Sequence, residues 1–243
     1  MEEIGMIPVQ VSDPAVAMAK LAWWHQELQA AGIAKSEHPV IRSLVMTTGI
    51  SGRDSRLLGE YLGGVAGLSA GDALASMQDL ESVALQIGGS EASLLAGLGK
   101  PDTSDERPGV RSIGAAHFLH SLIMEPESRL SGQSWWLPLD LQARFGVGTA
   151  DLDKGDAANR LSLALREVST HALNAVNKGR DELLTSGGSQ LLSAGEHHLV
   201  VTSRLLKSRL ATARDVSAGS TMQAFGGAKE VFSAWREAVR TRS

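Results

Sequence analysis

His117 and His120 are spaced so that, on a helix, both imidazoles share one face, and Glu125 and Glu127 follow close behind. Nitrogen and carboxylate donors gathered this way are the raw material of a transition-metal site. The same residues have a plainer reading, with half-buried polar contacts for the histidines and solvated carboxylates for the glutamates. His197 and His198 are sequential, so their rings diverge on a helix and make a poor pair for one ion. The serine-rich turn Thr185-Ser186-Gly187-Gly188-Ser189 has no His/Asp partner at a recognisable spacing and indicates no nucleophile. No phosphate-binding GxxxxGK[ST], dinucleotide GxGxxG or metalloprotease HExxH pattern is present.

The frame that must position these groups is helical. A chain of 243 residues with 43% hydrophobic content can bury one sizeable core, and a single domain over 1–243 is expected. Only 4% of residues are aromatic, while Ala and Leu abound, which favours helices over a β-sandwich. The net charge of -4 offers no footprint for nucleic acid. There is no cysteine, which excludes disulfides and thiolate chemistry and suits a reducing compartment. No uninterrupted apolar run reaches the length of a membrane span, and Met1-Glu2-Glu3-Ile4 lacks the features of a signal peptide. The expectation is a cytoplasmic all-α protein with no transmembrane span.

Along the chain, Ser12-Asp13-Pro14 reads as a helix start, with Ala17, Leu21, Trp24 and Leu28 as one buried stripe and Gly32 as the stop. His38-Pro39 opens a shorter helix, and another begins near Asp54 with Leu57, Tyr61, Leu62, Val65 and Leu68 facing inward. Asp72 is expected to cap a fourth, Gly88-Gly89 to break it, and Ser90 to start a short fifth segment. Residues 99–110, polar and carrying Pro101 and Pro108, read as a flexible loop. Further helices are expected around Ile113–Ile123, from Pro138 to near Gly146, and over about 156–184, 189–213 and 217–240. Gly63, Gly64 and Gly67 read as sites of close helix–helix approach.

Several segments, in order, resemble the squalene/phytoene synthase family, whose members join two prenyl diphosphates head to head. They are Lys20-Leu21-Ala22-Trp23-Trp24-His25-Gln26-Glu27-Leu28, His38-Pro39-Val40, Tyr61-Leu62-Gly63-Gly64-Val65-Ala66-Gly67 and Trp136-Leu137-Pro138-Leu139-Asp140. The resemblance covers residues 12–146, more faintly the remaining helices, and implies an isoprenoid-synthase-type helical bundle shortened at its N-terminus.

The resemblance also implies two aspartate clusters that hold magnesium against diphosphate. Aligned on the family, the first falls over Gly5, Met6, Ile7, Pro8 and Val9, none of which ligates a metal through its side chain. The second falls where this chain reads His120-Ser121-Leu122-Ile123-Met124-Glu125-Pro126-Glu127. A Gly-Arg step is replaced by Gly132-Gln133-Ser134. Magnesium neutralises diphosphate only where several carboxylates converge, and losing one oxyanion-type donor already costs roughly 3 kcal/mol of transition-state stabilisation. No catalytic residue and no cofactor are therefore expected, with magnesium entering only if the chain is a transferase with atypical ligands.

The missing aspartates and the Leu-Pro-Leu-Asp segment are similar to the family's non-catalytic branch, which includes a mitochondrial complex I assembly factor. That similarity implies a protein acting through a protein partner or an apolar lipid, in assembly of a respiratory or membrane complex, peripheral to the inner membrane. The alternative is a prenyl-diphosphate transferase. Candidate pocket residues are Trp24, Tyr61, Val65, His117, His120, Glu125, Glu127 and Trp136. Adjacent helical tryptophans point about 100° apart, so one at most of Trp23/Trp24 and of Trp135/Trp136 should face a given cavity. Lys229, Trp235, Arg236 and Arg240 form a basic amphipathic pattern that suits core docking, a partner or an anionic membrane.

Overall fold

The computed structural model describes residues 2–32, 36–48, 52–97, 108–126, 129–130, 132, 134–151, 158–186 and 192–215. The elements are α1 (Glu2–Gly5), α2 (Ile7–Gln10), α3 (Pro14–Gly32), α4 (Pro39–Thr48), α5 (Gly52–Ser69) and α6 (Met77–Ala84). A π-helical turn (Leu85–Gly89) leads into α7 (Ser90–Gly97), followed by α8 (Val110–Met124), α9 (Leu139–Phe145), a 3-10 turn (Thr149–Asp151), α10 (Ala158–Thr185) and α11 (Ala194–Asp215). No strand occurs among the described residues beyond one isolated bridge between Arg129 and Trp135. The bundle is all-α, as the composition predicts.

α8 is the axis. It packs on α10 most extensively, and also on the π turn, α7, α11 and α6. Val110, Ile113, Ala115, Ala116, Leu119 and Ile123 are all buried, so its apolar residues do not keep to one stripe, as expected of a helix surrounded by neighbours. Small residues set the spacing. A Cβ on Gly114 would collide with the Gly88 carbonyl, and one on Gly109, at φ 90°, with the Gly179 carbonyl. One core runs from Ile4 and Ile7 through Trp24, Tyr61, Val65, Leu119, Trp136 and Val168 to Leu210. A second, smaller one joins Ala92, Val110, Ile113, Leu183 and Val200.

The start of α3 follows the sequence: the Asp13 carboxylate accepts from the Ala15 N–H at 2.8 Å. Four other expectations are corrected. Asp72 is exposed and caps nothing. α6 starts after Ser76, whose Oγ accepts from Asp79 N–H at 3.3 Å while Asp79 Oδ2 accepts from Ser76 N–H at 2.9 Å. That reciprocal box satisfies two donors and outbids a lone Asp. Residues 71–75 instead lie against the α9 approach, Leu74 and Ala75 carbonyls accepting from Leu139 and Asp140 N–H. Ser76→Ala should cost about 1 kcal/mol, read by urea denaturation.

Gly88-Gly89 does not break the chain either. The pair sits in the π turn that carries α6 into α7, because the α8 backbone crosses there and only a residue without a side chain fits. Of the three α5 glycines expected at close approaches, Gly64 alone meets a neighbour, with a Cβ falling 2.7 Å from Ile87; Gly63 and Gly67 face open space. α11 begins at Ala194 rather than near 189, fixed by a second box between Ser193 and the fully buried Glu196. The proposed flexible loop lies mostly outside the described residues, which resume at 108, and the expected helix over 217–240 lies outside them entirely.

Candidate functional site

Four of the proposed pocket residues lie in the main core. Trp24 from α3, Tyr61 and Val65 from α5, and Trp136 from the approach to α9 belong to the same buried cluster. Trp24 is there because the α3 stripe turns inward, leaving Trp23 46% exposed beside it. The second tryptophan pair packs into the core as a whole. Both Trp135 and Trp136 are buried, because this segment is not helical and threads between elements. Trp135 Nε1 donates to the Pro126 carbonyl at 2.6 Å.

The segment Gly5–Val9, where the resemblance would put a first aspartate cluster, packs as hydrocarbon. α1 and α2 break at Met6, and Pro8 is accommodated in the first turn of α2, where its missing N–H is no loss. Ile4, Ile7 and Pro8 are buried in the fold. Gly5 passes directly over Tyr61: a Cβ there would stand 2.7 Å from the phenol oxygen. Burial, and then the charge of Glu91, hold the Tyr61 hydroxyl above its usual range, so it stays a neutral phenol.

The second position is no more acidic. His117 is pushed down to about 4, first by burial and then by the like charges of His120, His198 and Arg209. His120 is lowered by burial and by Arg209, and its Nε2 is buried without a hydrogen-bond partner. Both rings are therefore neutral near pH 7. Glu125 is exposed just past the end of α8, and Glu127 lies outside the described residues. Among the described residues no three of His, Asp or Glu gather as a metal site. Magnesium requires oxygen donors in near-octahedral array. The described donors at these two segments do not fit it.

Residues that the sequence did not single out tie neighbouring elements together. The Arg111 guanidinium donates to Glu60 at 2.8 Å and to the Leu85 carbonyl at 3.3 Å, clasping the π turn, and Ser90 Oγ donates to the same carboxylate at 3.4 Å. His171 and Glu81 meet at 2.6 Å between α10 and α6. Inside the bundle, Trp136 Nε1 and Ser169 Oγ are fully buried without partners. No local pattern foretells these contacts, since each joins positions far apart in the chain. The candidate surface residues Lys229, Trp235, Arg236 and Arg240 lie outside the described residues.

A family model described as squalene/phytoene synthase matches residues 3–216. This chain belongs to the squalene/phytoene synthase family. Family membership therefore extends over nearly the whole described fold, including α10 and α11, where the sequence resemblance was faint. The fold is also similar to a solved structure, the crystal structure of a dehydrosqualene synthase in complex with ligand. The TM-score is 0.69, with 15% identity over 99% of this chain and 84% of that one. At that identity the likeness carries the isoprenoid-synthase architecture and nothing finer. No curated protein gives a significant match. Among the described residues, no helix of this squalene/phytoene synthase-family protein is long and apolar enough to cross a membrane.

Proposed function

We propose that this squalene/phytoene synthase-family protein is non-catalytic and works by binding, its bundle offering a body for a protein partner or an apolar lipid. The observation that supports this reading is the character of the two positions where the family's acid clusters belong. One is closed by Ile4, Ile7 and Gly5 over Tyr61, and the other presents the neutral rings of His117 and His120. An ionising diphosphate needs concentrated positive charge beside its leaving oxygens. Among the described residues, nothing at either position gathers the carboxylates that would bring it. The family's non-catalytic branch suggests assembly of a respiratory or membrane complex as the setting.

The decisive assay supplies farnesyl or geranylgeranyl diphosphate with magnesium and follows released diphosphate. Release at the uncatalysed rate is expected. Turnover at an enzyme's rate would overturn the proposal and make the chain a prenyltransferase with atypical ligands. Affinity capture from the source cell then tests the setting, with defined membrane-complex subunits as the expected catch.

A further inference from the structure

We draw no further inference here: the strongest candidate, the exposed apolar face of α3 around Val16, Met18 and Trp23, is edged by charges of both signs at Asp13, Lys20 and Glu27, and nothing in the structure shows what covers it.

Discussion

Gly114→Ala is expected to destabilise the protein by about 3 kcal/mol, whereas Gly63→Ala should stabilise it by about 0.5–1 kcal/mol. The same methyl group is added to a helix interior in both cases, so intrinsic propensity favours alanine in both. What differs is the neighbour. At Gly114 the new carbon would collide with the Gly88 carbonyl, and it would stand 2.6 Å from both the Gly88 carbonyl carbon and the Ala92 Cβ. Backbone cannot rotate away as a side-chain tip can, so α8 and the π turn would have to separate, loosening both cores at once. At Gly63 nothing lies within 4 Å, and alanine only narrows the unfolded ensemble. Urea denaturation of the two variants beside the parent measures both signs. Equal shifts would contradict the close crossing of α8 over the π turn, on which the packing of the central helix rests.

That contrast also marks what could be read in the amino-acid string. Start signals that act over a few residues were legible: Asp13 before Pro14, and Pro138 with Gly146 bracketing α9, whose Gly146 takes a left-handed conformation at φ 61°. The inward stripe of α3 and the buried face of α5 follow from spacing alone, as do Trp24, Tyr61 and Val65 in the core. Glycine carries less information. Gly63, Gly64, Gly67, Gly88 and Gly114 are the same letter, and only the element crossing overhead decides whether each is a contact, a spacer or a π-turn residue. That Gly5–Val9 and His120–Met124 hold no carboxylate was plain from residue types. What those segments touch in the fold was not. Gly5 lying over the Tyr61 hydroxyl joins positions 56 residues apart, and the pairing of Arg111 with Glu60 spans 51.

Mild acid should expose the cost of the buried histidines. His117 sits at about 4 in the folded protein against 6.5 for the free side chain, with burial the larger cause and the charges of His120, His198 and Arg209 adding to it. The folded state therefore keeps the ring neutral, while the unfolded chain takes up a proton as soon as pH falls below 6.5. Stability from this group is complete above pH 6.5, declines as pH drops from there to about 4, and levels off below. Across that window the loss is about 3 kcal/mol, at about 1.4 kcal/mol for each pH unit separating the two values. His120 is shifted in the same direction and adds to it. Denaturation of parent and His117→Gln at a series of pH values isolates the contribution, because carboxylates titrating in the same range cancel in the difference. The variant's curve should be flatter by about 3 kcal/mol between pH 6.5 and 4. Parallel curves would mean that the ring is solvated and that α11 does not close over α8 at His117. In that event the neutral character assigned to the second metal position would lose its physical basis, and the case for a binding rather than a catalytic role would rest on Ile4, Ile7 and Gly5 alone.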